Sequence, residues 1–243
     1  MLTGYEDTKL KIDKKDLIRA CCRAIYLWEF GDDGVAGNVR KTDEQMLIYF
    51  STRWTKFSKQ KNKNLLYDIA EIQELMISCH IPKQINNPSL NSVDSYLSSN
   101  ALAKHNYVLG LGKNTIARLD FAKSIANNLA DYLKNKKNML QPALASRILF
   151  FAMPEIHHYN YSEPLRDSLK ENYGLADDSL TGVYERMTKL LHESNNYKIL
   201  KNLPRPNFPS SLNKAIKDGD WWERRVLDLA VVQNWKCFCK DRR

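Results

Sequence analysis

The feature that most constrains this chain is the stretch from Met139 to Gly174, where two helical patterns flank a short polar loop. Pro142 stands where a proline can open a helix, and Pro154 predicts that the apolar helix between the two prolines has ended. Ser162 is a preferred N-cap and Gly174 a preferred C-cap, so a second helix is expected between them. The loop is therefore anchored at both ends, which is a suitable place for a functional site.

The bulk properties of the 243 residues predict a globular protein, since 43% are hydrophobic. No stretch reaches the eighteen or so apolar residues of a membrane span, and the charged N-terminus has no apolar signal core. Five scattered cysteines fit a reducing compartment, so we expect a cytoplasmic protein without a membrane partner. The net charge of +9 favours a partner with phosphates, although the composition of an AT-rich genome would give the same excess.

Helical spacing and capping signals recur along the chain, whereas strand signals are few. Thr42 with Gln45 is a capping box, and so is Asp220 with Glu223. The sequence predicts an all-α fold of about eight to ten helices. A polar, Pro-containing connection before residue 100 divides it into an N-terminal helical subdomain, 1–100, and a second helical subdomain, 101–243.

The last quarter of the chain gives two further expectations. Residues 195–218 contain three prolines and many basic side chains, and we expect them to form a long irregular segment. In the helix that follows, we expect Trp222 and Val226 to face the core, and Arg224 and Arg225 to face solvent.

Two basic stretches are candidates for contact with DNA phosphates. Gly110 and Gly112 precede a helix together with Lys113, where free backbone N–H groups can meet an anion. Lys136 and Lys137 lie just before the central helix and offer a rival hairpin. A plain glycine turn is an equal reading of the first stretch.

Metal ligands are not predicted anywhere in the chain. Cys79 stands next to His80, and Cys237 lies close to Cys239, but neither pair has the further ligands that zinc needs.

The segment SRILFFAMPEI-x-x-YNYS resembles 8-oxoguanine DNA glycosylase-like proteins of the helix-hairpin-helix glycosylase superfamily. The resemblance implies a multi-helix fold of that type, with a Gly-x-Gly hairpin such as that at Gly110 gripping a DNA phosphate. It also implies base flipping from duplex DNA and hydrolysis of the N-glycosidic bond without a cofactor, with foreign (phage) DNA as a conceivable target. The family's catalytic lysine falls at Arg147 and its aspartate at Asn160. Arginine cannot form a Schiff base, and asparagine cannot neutralise a cation, so a monofunctional glycosylase is the form expected.

Three explanations of these departures stay open. In the first, Asn160 positions water or substrate, and Glu155, Glu163 or Asp167 supplies the charge. In the second, the fold serves DNA binding alone. In the third, the similarity is accidental and Arg147 is a buried cation that pairs with Glu155 or Asp167 at a structural junction.

The loop also supplies candidate substrate-binding groups, His157, His158, Tyr159 and Tyr161. A histidine could act as acid or base near neutral pH, and the tyrosines could stack on a flipped base. The alternative is that the tyrosines cover the core from a loop. The alternative function, from a different class, is a non-catalytic helical DNA-binding or protein-interaction module.

Overall fold

The computed structural model of this chain describes residues 10–31, 41–59, 72, 93, 96–97, 115–133, 141–210, 212 and 219–240, with backbone only for 57–59 and 233–240. These residues contain eight helices whose first and last residues are defined, and no β-strand, which confirms the all-α class. The helices are α1 Lys14–Glu29, α2 Asp43–Lys59, α3 Thr115–Tyr132, α4 Pro142–Ala152, α5 Glu163–Tyr173, α6 Leu180–His192, α7 Ser194–Lys201 and α8 Trp221–Lys240.

Local capping chemistry fixes several of these ends as expected. At the start of α2, Thr42 Oγ1 accepts from Gln45 N at 3.1 Å while Gln45 Oε1 accepts from Thr42 N at 2.9 Å. Ser162 caps α5, and Gly174 ends it with φ of 64°, a left-handed conformation that glycine adopts without strain. Pro142 opens α4.

Residues 195–218 were predicted to be irregular, but this is wrong for residues 195–201, which lie in α7, Ser194–Lys201. Glu193 acts as the N-cap, and its Oε2 accepts from Asn196 N at 2.8 Å. A carboxylate at this position satisfies an N–H group that the helix itself leaves unpaired. The helix has only 8 residues, so its amphipathic pattern covers little more than two turns, which is too short for periodicity to predict a helix.

The helices before residue 60 and those after residue 115 share one hydrophobic core. Helix α8 packs on α1 and α5, and α4 packs on α2 and α3. Trp28 of α1 meets Trp221 and Trp222 of α8 edge-on, and Phe150 of α4 lies 5.1 Å from the Trp221 ring. This aromatic contact places the end of α4, and the loop that follows it, beside the first turns of α8.

The predicted boundary near residue 100 lies outside the described residues. Among the helices that the structure describes, each is too short or too polar to cross a bilayer.

Candidate functional site

The loop between α4 and α5 folds back on α4 and is almost completely buried. Tyr161 N donates to Ser146 Oγ at 2.8 Å, so the loop returns to the helix one residue before Arg147. The side chains of His158, Tyr159 and Asn160 have 0% exposure. The loop is therefore packed inside the protein and does not spread over the surface.

The buried cation that holds this loop is Arg224, which comes from α8. Its Nε donates to Asp220 Oδ1 at 3.0 Å, and Nη1 donates to the carbonyl of His158 at 2.7 Å. Its Nη2 donates to the carbonyl of Pro154. One guanidinium thus satisfies one carboxylate and two loop carbonyls, using the fork of donors that is specific to arginine.

The expectation that Arg224 and Arg225 face solvent is wrong, because their exposures are 0% and 6%. Every residue from Trp221 to Asp228 is buried, so the start of α8 has no solvent-facing side. Both arginines are tolerated there because carboxylates and carbonyls compensate their charge.

Asp220, the residue just before α8, binds both Arg224 and the loop. Its Oδ2 lies 3.2 Å from His157 Nε2, while Oδ1 accepts from Arg224. Burial alone would raise the pKa of Asp220, but the Arg224 guanidinium and His157 outweigh it and hold that pKa below its usual range. The His192 ring lies 6.0 Å from that of His157, and burial together with this neighbour lowers the pKa of His192.

Asn160 takes part in a second buried network. Its Nδ2 donates to Asp228 Oδ2 at 2.8 Å, and Arg225 Nη1 donates to the same oxygen at 3.1 Å. Arg225 Nε also donates to Asp43 at the start of α2, at 2.6 Å. This network joins the loop, α8 and α2. Asn160 Oδ1 is buried and has no hydrogen-bond partner among the described residues.

The aromatic residues of the loop contact side chains and a carbonyl of the protein itself. Tyr159 Oη lies 3.2 Å from Thr188 Oγ1, and its ring packs edge-on against Tyr184 at 5.7 Å. Burial raises the pKa of Tyr159, and the nearby Asp220 carboxylate adds to this effect. His158 Nδ1 lies 3.5 Å from Tyr184 Oη. Tyr161 is half-buried, and its hydroxyl donates to the carbonyl of Asp178 at 3.1 Å.

The expected pairing of Arg147 with Glu155 or Asp167 is wrong. Arg147 is half-buried and forms no ion pair with any residue that the structure describes. The carbonyl of Glu155 accepts from Arg118 Nη1 at 3.0 Å, and Asp167 Oδ1 accepts from Arg166 Nε at 3.1 Å. The structural junction that was expected at Arg147 is formed by Arg224.

The side chain of Asn160 is fully buried and does not face solvent. The catalytic and substrate-binding roles assigned to the loop residues stay predictions. The expected phosphate contacts at Gly110, Gly112, Lys113, Lys136 and Lys137 lie outside the described residues, as do Cys79 and His80. In the part of the chain that is described, no group of three or more His, Cys, Asp or Glu side chains could hold a metal ion.

Sequence reasoning missed Asp220, Arg224, Arg225 and Asp228 as partners of the loop. A usable signal was present in DWWERRVLD, where Asp220 and Arg224 are four residues apart and Arg225 and Asp228 are three apart. Such spacing places opposite charges on one side of a helix turn. In a segment with this many large apolar residues, paired charges of this kind indicate buried ion pairs.

A comparison of this chain with protein-family models, curated proteins and solved structures finds no match. The glycosylase resemblance therefore rests on the residues of the α4–loop–α5 segment.

Proposed function

We propose that this chain is a DNA glycosylase-like protein that binds duplex DNA, flips out a modified or damaged base and hydrolyses its N-glycosidic bond. The residues of the α4–loop–α5 segment, the all-helical architecture and the net charge of +9 support the proposal. Foreign DNA, such as that of a phage, is one source of modified bases for such an activity.

The observation that carries the proposal is the hydrogen bond between Asn160 and Asp228. The resemblance puts Asn160 where the family has an aspartate, and an asparagine cannot stabilise the cationic sugar that forms as the bond breaks. Asp228 brings a carboxylate to within 2.8 Å of that position from another helix. In this proposal Asp228 supplies the negative charge and Asn160 orients the water or the base.

Arg147 has a different role in this proposal from the family lysine. It cannot act as a Schiff-base nucleophile, so water must attack the sugar and the enzyme is monofunctional. Arg147 is half-buried and forms no ion pair with the described residues, which leaves its guanidinium available to a DNA phosphate. The loop has to move before a flipped base can reach Asn160, because that side chain is fully buried.

The second candidate is a non-catalytic helical module that binds DNA or another protein. The complete burial of His158, Tyr159 and Asn160 favours it, since each has internal neighbours and none faces solvent. In this reading the loop is a structural junction, as tyrosines and histidines packed on a core usually are.

The test is incubation of the protein with duplexes that carry a panel of modified bases, followed by alkali to cleave abasic sites. We expect strand cleavage of at least one duplex by the wild type and a loss of about 10²–10³-fold in Asp228→Asn, the size seen when one electrostatic contact to a transition state is removed. The substitution keeps the shape of the side chain and an acceptor for Asn160.

The matched control is Asp120→Asn, which removes an exposed carboxylate that pairs with Lys123 on α3 and should keep full activity. Binding to every duplex without cleavage of any would support the non-catalytic module. A covalent complex trapped by borohydride would contradict the hydrolytic mechanism, because it requires a lysine amine.

A further inference from the structure

A cleft beside α7 is lined by residues that do not belong to the loop between α4 and α5. A cavity of about 900 Å³ lies between residues 11–14, at the start of α1, and residues 195–203, in and after α7. This volume is within the range of small-molecule binding sites, which runs from roughly 300 to 1,000 Å³.

The two walls of the cleft are held in place by one buried side chain, Asn196. Its Oδ1 accepts from Ile12 N at 3.0 Å, and its Nδ2 donates to the carbonyl of Leu10 at 2.7 Å. The same Nδ2 donates to the carbonyl of Leu190, at 2.9 Å, at the end of α6. Asn196 has 0% exposure, so these bonds are shielded from water. The cleft is therefore preformed, and a ligand does not have to order it.

The rim of the cleft carries an excess of positive charge. Lys11, Lys14 and Lys198 line it, all three are exposed, and none forms an ion pair with a described residue. The one acid in the lining, Asp13, is engaged as the N-cap of α1, where its Oδ1 accepts from Lys15 N at 2.7 Å. Lys11 is close enough to the Glu193 carboxylate to help lower its pKa, whereas Lys14 and Lys198 have no acidic partner among the described residues. The lining thus has more ammonium groups than carboxylates, which suits the oxygens of a phosphate.

The floor of the cleft is apolar. Ile199 and Leu203 are half-buried against the core and supply apolar surface to the lining, whereas Ile12 is only 1% exposed. Two amide side chains, Asn195 and Asn202, are also part of the lining, and Asn202 Nδ2 donates to the carbonyl of Lys198 at 2.8 Å. A ligand that fits has an anionic end, hydrogen-bonding edges and a flat apolar ring.

We propose that this cleft binds a nucleotide, with its phosphate on the three lysines and its base on the apolar floor. The nucleotide could come from a nucleic-acid strand or be free in solution, and the two sources share this chemistry. The proposal does not depend on base excision, because it concerns a different set of residues.

The experiment measures fluorescence anisotropy of a labelled single-stranded oligothymidylate of about a dozen nucleotides with the full chain. The cleft variant is Lys14→Gln combined with Lys198→Gln. We expect it to bind at least tenfold more weakly than the wild type. The slope of log affinity against log salt should also fall by about 1.4, since each lost contact with a single strand is worth about 0.7.

The matched control is Lys15→Gln combined with Lys189→Gln, which removes two exposed lysines that do not line the cleft. Its affinity should stay within about twofold of the wild type. Both double variants should keep the wild-type melting temperature, because none of the four lysines forms an ion pair among the described residues.

Deoxyadenosine monophosphate, added as a competitor, distinguishes the two sources. Saturable displacement of the oligonucleotide supports a site for free nucleotides, while a lysine-dependent signal that the monophosphate does not displace supports a site for a strand. The proposal is overturned if neither probe binds, if the cleft variant binds like the wild type, or if the control loses as much affinity as the cleft variant.

Discussion

At the scale of single residues, Arg224 shows what allows a permanent charge to lie inside this protein. Its guanidinium is fully buried, donates to Asp220 and to two loop carbonyls, and lies 5.9 Å from the centre of the Phe150 ring. Each of these contacts offsets part of the cost of removing the charge from water. Arg147 is the more conspicuous cation in the sequence, but it forms no such hydrogen bond with any residue that the structure describes.

We expect Arg224→Met to lower the free energy of unfolding by about 3–5 kcal/mol, because it leaves a buried carboxylate and two carbonyls without their donor. At roughly 2–4 °C per kcal/mol for a chain of this size, the melting temperature should fall by about 6–20 °C. Thermal denaturation followed by circular dichroism measures this. The matched control, Arg147→Met, should shift the melting temperature by only a few degrees. Equal shifts in the two variants would show that Arg224 is not the anchor of the loop.

At the scale of elements, the loop after α4 depends on the first turn of α8. His157 and the carbonyls of Pro154 and His158 all contact the Asp220–Arg224 pair, across about 65 residues of sequence. The loop keeps its shape because a helix that is distant in sequence supplies partners for its polar groups. Loss of charge on Asp220 should therefore destabilise the whole loop between α4 and α5.

Stability should depend on pH through Asp220. Its pKa is held below its usual range in the folded protein, so its contribution is full above the pKa of the unfolded chain, about 3.9. That contribution is lost as pH falls from about 5 through the folded pKa. We expect Asp220→Asn to be less stable than the wild type at pH 7, and the difference to shrink as pH falls from 5 towards 3.

Urea denaturation at pH 7, 5 and 3.5 measures this difference in the free energy of unfolding. Asp167→Asn is the control, because that carboxylate is partly exposed and contacts the adjacent Arg166. A difference between Asp220→Asn and the wild type that stays constant over this range would contradict the assignment.

At the scale of the whole molecule, the helices share one core while the chain carries a net charge of +9. Helix α8 packs against α1, α5, α6 and α7, so it is the central element of the described fold. The field of such a charge reaches about 30 Å at 0.01 M salt but only about 3 Å at 1 M. Binding to duplex DNA should therefore weaken steeply as salt rises.

We expect log affinity for duplex DNA to fall linearly with log salt, with a slope of about 0.9 for each phosphate neutralised. Lys136→Gln combined with Lys137→Gln should reduce that slope by about 1.8 if both residues contact phosphates, as the sequence predicts. Anisotropy of a labelled duplex at four or more salt concentrations measures it. The Lys15→Gln and Lys189→Gln double variant serves again as the control. Absence of binding at low salt would contradict both functions that involve duplex DNA, the glycosylase and the DNA-binding module, but not the nucleotide site in the cleft.

The sequence by itself determined the helical class and several helix ends. Thr42 with Gln45, Ser162 and Gly174 act on backbone groups within a few residues of themselves, so their effect is visible in the local sequence. The position of the loop between two anchored helices follows from the same local chemistry.

Only the tertiary structure decided which polar groups meet inside the protein. Asn160 and Asp228 are 68 residues apart, and His158 and Arg224 are 66 apart, so no helical spacing relates them. Every residue in the first two turns of α8 is buried, so no exposed face alternates with a buried one. Hydrophobic periodicity therefore could not predict that Arg224 and Arg225 are internal. Their burial depends on carboxylates and carbonyls that reach them from other elements, since a charge without such partners would stay in water.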